Sequence, residues 1–145
     1  FAINVLTLIT PPDDPAGVTG FDASLDGKRL VVCAEGVPCG NATRALAERA
    51  GVDLEPVSEE SKVTDVRGKV ESGEADAGIV YTTDAAAAGD EVRTVPIAGA
   101  GDSPNRYPIA VLEGAADAGL AAEFVDAVTG PEGRAVLEGY GFGAP

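Results

Sequence analysis

Residues 31–43 read "VVCAEGVPCGNAT": an apolar run, a turn of small residues, and two cysteines six apart. The run extends back to "KRLVVCA" (28–34), which reads as a buried strand, with Asp26-Gly27 ahead of it as a turn signal. Beyond the turn, Arg44, Leu46 and Ala47 fall in a helical pattern, predicting a helix over 40–50 with Gly51 as its stop. A strand handing over to a helix through small residues is where α/β proteins keep their ligands. Both cysteines of the chain are set there.

The same alternation runs outward in both directions. Ile3, Val5, Leu6, Leu8 and Ile9 make a β-like run stopped by Pro11 and Pro12, and residues 13–20 read as a loop or crossing linker. Downstream, "DLEPVSE" (53–59) holds a short strand interrupted by Pro56. Val63, Val66 and Val70 then recur along one helix face, with Ser61 placed to cap the start and Gly73 to end it. Gly68 inside that helix costs roughly 1 kcal/mol against alanine, so the helix depends on tertiary packing. "ADAGIVYT" (75–82) reads as a buried strand, Thr82 or Thr83 as the cap of the short helix "DAAAAG", and "EVRTVPI" (91–97) as another strand. Residues 98–106 read as a second crossing linker and "YPIAVLEG" (107–114) as a strand. Leu120, Phe124, Ala127 and Val128 mark an amphipathic helix ended by Gly130-Pro131, and a last helix runs from Glu132 to about Glu138. Strand and helix in alternation predict an α/β fold with a largely parallel sheet.

Composition narrows the function. The chain has 145 residues, about one domain's worth, and no histidine. No Ser-His-Asp triad, Cys-His pair or imidazole metal site can be built from it, and no cofactor motif is present, which sets enzyme readings aside. With 24 acids against 10 bases the net charge is −14, a surface that repels nucleic acid and anionic membrane. A small anion is not excluded, because backbone amides at a helix N-terminus bind one whatever the distant surface charge. No run has transmembrane length. The opening "FAINVLTLIT" has no charged leader region or cleavage site, so it reads as a strand, and the abrupt start suggests that something upstream has been removed.

Three strand-to-helix junctions qualify as ligand positions: 36–41, 61–64 and 81–84. At the first, the amides of Cys39 and Gly40 would donate to an oxyanion; at the second, the amide of Val63; at the third, the hydroxyl of Tyr81. Spacing alone leaves the alternatives open: an ordinary βα turn, a Ser61-capped helix, and a half-buried tyrosine bonded to backbone. Glu59, Glu60, Glu71 and Glu74 fit no calcium loop and read as a solvated helix rim.

The string "VESGEADAGIVYTTDA" (70–85) closely resembles the molybdate-binding proteins of ABC importers. "VPCG" (37–40) is similar to that family's VPAG, and "YPIAVLEG" with "GPEGRAVLEGYGF" (130–142) to its C-terminal strand and helix. "FAINVLTLITPPDDPAG" resembles the strand and loop leading into its second lobe, so the likeness covers nearly the whole chain. The resemblance implies a type II periplasmic-binding-protein fold: two α/β lobes, two crossing strands, and an oxyanion in the cleft. Residues 1–14 would be a strand and crossing linker of an incomplete lobe, 15–100 a complete lobe with a mostly parallel sheet, and 101–145 the return crossing and C-terminal helices of the incomplete lobe.

The same resemblance implies molybdate or tungstate as ligand, no cofactor, an importer's membrane permease as partner, and an extracytoplasmic location, periplasmic or as a cell-surface lipoprotein. No nucleic-acid partner and no membrane insertion are expected. Family members hold the dianion without salt bridges. Carried over by motif, the donors are the amides of Cys39 and Val63 and the hydroxyl of Tyr81, with Gly40 and Thr82 as further candidates. The family's serine ligands would precede Phe1, so this chain alone is expected to bind molybdate weakly or not at all until that segment is supplied. Sulfate or another tetrahedral oxyanion, or a regulator's ligand-sensing domain, are the alternatives. Cysteines stand where the family has small residues; the extracytoplasmic compartment implies a Cys33–Cys39 disulfide pinning the loop, against two free thiols packed as small hydrophobes.

Overall fold

The apolar run Leu6–Thr10 forms strand β2, buried at all five residues and paired on both sides. It belongs to a five-stranded sheet in a computed structural model that describes all 145 residues. The other strands of the sheet are β3 (Leu30–Cys33), β4 (Ser58–Glu60), β5 (Ala77–Tyr81) and β6 (Arg93–Pro96), in the order β4-β3-β5-β2-β6. Strand β3 runs parallel to β4 and β5, whereas β2 runs antiparallel to both β5 and β6. Four strands therefore point one way and β2 the other, which makes the sheet mixed.

The parallel part is wound by helices, as parallel neighbours require. Helix α1 (Pro38–Ala50) joins β3 to β4, and α2 (Val63–Glu71) joins β4 to β5. Val66 and Val70 are fully buried on α2, and they meet β5 at Gly78, where a Cβ would lie 2.9 Å from a methyl of each. The valine stripe legible in the sequence thus docks onto a site cut to fit it. Gly51 ends α1 at φ 66°, a left-handed stop. Neither expected side-chain cap forms. Lys62, not Ser61, occupies the cap of α2, and the short helix α3 (Thr82–Ala88) begins behind Tyr81, whose N–H donates to the Asp84 carboxylate at 3.2 Å.

A separate antiparallel pair, β1 (Ala2–Asn4) with β7 (Asn105–Tyr107), lies outside this sheet, and Ile3 also bridges to Gly143 near the C-terminus. The chain crosses between the two units at Val5 and again along 97–104. This moves the expected boundary: residues 6–10 belong to the large sheet, and only 1–4 to the small unit. The reason is local. A one-residue break at Val5 carries no glycine or proline, so 3–9 read as one strand. The loop expected to cross, 13–20, instead folds back on the same lobe, with Asp14 accepting from Arg93 Nη1 (2.7 Å) and the Val18 amide (2.9 Å).

The run 108–114 is also not a strand. It pairs with nothing, and Leu112 is 78% exposed. Helix α4 (Ala118–Thr129) and helix α5 (Pro131–Gly139) form as expected, but α4 buries no residue and Phe124 is 64% exposed. Apolar periodicity specified these elements, yet the chain offers no strand to pair with and no sheet face to cover.

Two carboxylates tie neighbouring elements together, Asp76 at the start of β5 to the start of β3 and Glu60 on β4 to α2. Asp76 accepts from Arg29 Nη2 (2.6 Å), Nε (3.1 Å) and backbone N–H (2.9 Å), and Glu60 accepts from Lys69 and Ser58. The hydrogen bonds from Arg29, and from Lys69 and then Ser58, hold these carboxyls below their ordinary values. A carboxyl lowered in the folded state stabilises above its unfolded pKa and loses that contribution as pH falls through the folded one. Thermal melts are therefore expected to decline below about pH 4, and Asp76→Asn to flatten that decline while lowering the melting temperature at pH 7.

Candidate functional site

The turn after β3 passes through Gly36, whose amide donates to Asn41 Oδ1 at 3.0 Å, and enters α1 at Pro38. Proline suits this first position because its missing N–H would have had no partner. The next amides, on Cys39 and Gly40, have no intrahelical acceptor; that of Asn41 already bonds Val37 O at 3.0 Å. Cys33 and Cys39 are disulfide-bonded and both buried, so the last residue of β3 is joined covalently to the first turn of α1.

At the second junction, Asp65 and Val66 both donate to Lys62 O, at 3.1 and 3.4 Å, which leaves the amides of Val63 and Thr64 as the free donors of α2. At the third, Tyr81 ends β5 only 8% exposed as a whole residue, and its side chain lines a cleft. Burial pushes that phenol's pKa up, and the neighbouring Tyr107 and Asp84 add to the shift. Burial also raises the Asp84 carboxyl, partly offset by the Tyr81 amide and the charge of Arg67.

These three junctions open on one cleft of about 670 Å³. Cys39, Val63 and Tyr81 all line it, so the structure brings together the three residues that strand-end reasoning picked separately. Gly40 and Thr82 do not. Gly40 lies against the end of β3, where a Cβ would come within 1.9 Å of the Ala34 carbonyl oxygen. Thr82 turns away to reach Asn4 Oδ1 (2.9 Å) and Gly141 O (3.0 Å) with its hydroxyl, and donates its amide to Val5 O (3.0 Å). It clasps the first crossing to the C-terminal tail.

Sequence reasoning missed the far wall. Asn4, buried in the crossing, donates Nδ2 to Thr83 Oγ1 at 2.8 Å, and both residues line the cleft. Asn105 and Tyr107 face it from β7, with Tyr107 edge-on to Phe142 at 5.5 Å. A single polar residue within "AINVL" was the available signal for Asn4. Nothing local marked the others. The acids of the α2 rim are accounted for: Glu59 pairs with Arg44 (2.6 Å), Glu60 with Lys69, and Glu71 with Arg67 (3.0 Å).

An α/β lobe whose strand ends and helix starts face a second unit across a cleft, with two crossings between them, defines a ligand-capturing protein of the periplasmic-binding type. The chain belongs to the bacterial extracellular solute-binding protein family, whose model matches residues 1–143. That is a family of binding proteins rather than enzymes. The molybdate-binding protein ModA of Mycobacterium tuberculosis is 41% identical over 146 residues, covering 100% of this chain and 56% of that protein. ModA of Escherichia coli is 35% identical over 132 residues, covering 86% and 49%. A solved chain described as the substrate-binding domain of a molybdenum ABC transporter from Clostridium difficile superposes with a TM-score of 0.85 at 25% identity, covering 99% of this chain and 65% of that one. The chain spans about half the length of the curated relatives it matches. Its fold is accordingly a partial type II periplasmic-binding-protein fold, and no helix is long and apolar enough to cross a membrane.

Proposed function

We propose that this chain supplies one wall of the site by which an extracytoplasmic binding protein captures molybdate or tungstate for an ABC importer's permease. The observation that carries the reading is the convergence of the Tyr81 side chain with the first-turn amides of α1 and α2 on one cleft. The phenol O–H is a donor that an oxyanion in the cleft can accept from. Two helix starts place partial positive charge beside it. Cys39 and Val63 would donate their amides and Tyr81 its phenol, with Thr83 and Asn4 lining the same cleft. Family membership and the ModA relatives support molybdate as the solute, delivery to a permease, and a periplasmic or lipid-anchored location.

Calorimetry and melting-temperature shifts with molybdate, tungstate and sulfate test the proposal, on this chain and on this chain with the upstream lobe segment supplied. Tyr81→Phe is expected to weaken molybdate binding roughly 10- to 100-fold, the range for a hydrogen bond to a charged group. Ligand-free stability should stay level, because the apolar ring of the side chain is retained. Unchanged affinity in Tyr81→Phe would remove the phenol from the site.

A further inference from the structure

The stretch "GYGFG" (139–143) leaves α5 and lines no part of the cleft itself. Its last residues nevertheless reach both walls. Gly141 takes a left-handed backbone (φ 88°) and lies flat on the start of α3, where a Cβ would come 3.1 Å from Thr82 O, 3.1 Å from Ala86 Cβ and 3.3 Å from Thr83 Cα. Its carbonyl accepts from Thr82 Oγ1 at 3.0 Å. The next residue, Phe142, meets the ring of Tyr107 edge-on, a favoured aromatic geometry. Gly143 then bridges Ile3 of β1, giving its amide to Ile3 O (2.9 Å) and accepting from Ile3 N–H (3.0 Å).

These contacts fall on opposite sides of the cleft. Tyr81 stands directly ahead of α3, so Gly141 is seated behind the near wall, whereas Tyr107 belongs to the far wall. The chain joins the two units covalently at Val5 and along 97–104. The tail adds a connection without a covalent bond. Thr82 is its pivot: one hydroxyl proton has two acceptors at hand, Asn4 Oδ1 and Gly141 O. Asn4, 3% exposed, gives Nδ2 to Thr83 Oγ1. The first crossing, the start of α3 and the tail therefore form one hydrogen-bonded cluster. Units joined only by crossings turn about them as a hinge, and a further contact restrains that turning.

We propose that Thr82 and Phe142 are positioning residues for the oxyanion site, holding the Tyr107 wall at a set distance from the Tyr81 wall through the tail. The inference rests on the oxyanion reading for what enters the cleft and goes beyond it in what sets the gap. The tie is made of protein atoms alone, so it acts before a ligand arrives. It keeps the protein among the orientations able to capture one, and a smaller competent fraction raises the apparent dissociation constant. Once both walls have closed on an oxyanion, the ligand holds them itself. Loosening the tail therefore slows capture and leaves release nearly unchanged.

The test compares wild type with Thr82→Val, Thr82→Ser and Phe142→Leu, and with Val136→Thr on the exposed side of α5 as control, with and without the upstream lobe segment. Spin labels on Glu35→Cys, in the turn after β3, and Arg106→Cys, on β7, report the distance between the units with no anion added. The distance distribution is expected to broaden in Thr82→Val and Phe142→Leu. It should match wild type in Thr82→Ser, which keeps the hydroxyl, and in Val136→Thr. Molybdate association, followed by stopped flow, should slow roughly threefold to tenfold in the two loosened variants, the worth of one hydrogen bond, while the cooperative melt persists. Distances that match wild type in both loosened variants overturn the inference, whether or not molybdate binds. Broadened distances with wild-type association rates, or a loss confined to dissociation, overturn it as well. Failure of wild type to bind molybdate, tungstate or sulfate in either form would end the oxyanion reading, and the tie would still stand or fall on the distances.

Discussion

Gly40→Ala is expected to lose more than about 3 kcal/mol of stability, beyond the ordinary range for overpacking, and to melt on the order of 10 °C lower. The added Cβ would fall 1.9 Å from the Ala34 carbonyl oxygen, 2.6 Å from its carbon and 2.7 Å from the Cys33 oxygen. All three are backbone atoms, so no side chain can swing aside. Nor can the backbone give easily: the Ala34 amide is bonded to Glu60 O at 2.8 Å, and Cys33 is held in the sheet and by the disulfide. The first turn of α1 would have to lift from β3, carrying the Cys39 amide out of the cleft. Gly68→Ala is the control, since a Cβ there meets nothing within 4 Å and the helix interior favours alanine by about 1 kcal/mol. Melts of the two variants should therefore shift in opposite directions. A Gly40→Ala protein melting within a degree or two of wild type would show that α1 does not need this close approach.

That prediction also explains what the sequence could and could not tell. Gly40 stood beside Cys39 at a helix start, and spacing could not separate a glycine needed for contact with an anion from one needed for contact with a strand. Only the 1.9 Å approach to Ala34 decides it. Thr82 and Thr83 pose the same problem one helical step apart: one clasps Asn4 and Gly141, the other faces the cleft. Elements whose burial is complete within the chain were legible, among them β3, β5 and α2, because their apolar period matches a face that is covered. The break at Val5 was not, because it rests on which sheet each half joins. Nor was the failure of 108–114 as a strand, since pairing is a property of the partner as much as of the run. The far wall of Asn4, Asn105 and Tyr107 is assembled from residues about a hundred positions apart, a distance over which no local pattern carries information.

Opening the Cys33–Cys39 bond is expected to lower stability by roughly 2 kcal/mol, the chain-entropy value for so short a loop, and to weaken oxyanion binding while the fold persists. The two effects have different origins. Stability falls because the unfolded chain regains the freedom that a bridge across a separation of six residues removes. Affinity falls because one sulfur belongs to the residue whose amide faces the cleft, while the other ends a strand held between β4 and β5. The bridge ties a donor at the edge of the site to the centre of the sheet. Without it, Pro38, the Gly36–Asn41 hydrogen bond and the Gly40 contact still start α1 in the same place on average. What is lost is the narrowness of the distribution around that place, and a ligand must then restrict the loop on binding. Both sulfurs are buried, so paired Cys33→Ala and Cys39→Ala substitutions are a cleaner route than added reductant, and alanine avoids burying the hydroxyls that serine would bring. Amide exchange at 34–40 should speed up in the paired variant, and molybdate affinity should fall several-fold with the cooperative melt retained. A variant that binds molybdate like wild type would confine the bridge to stability alone, and one that also melts like wild type would leave it without either role.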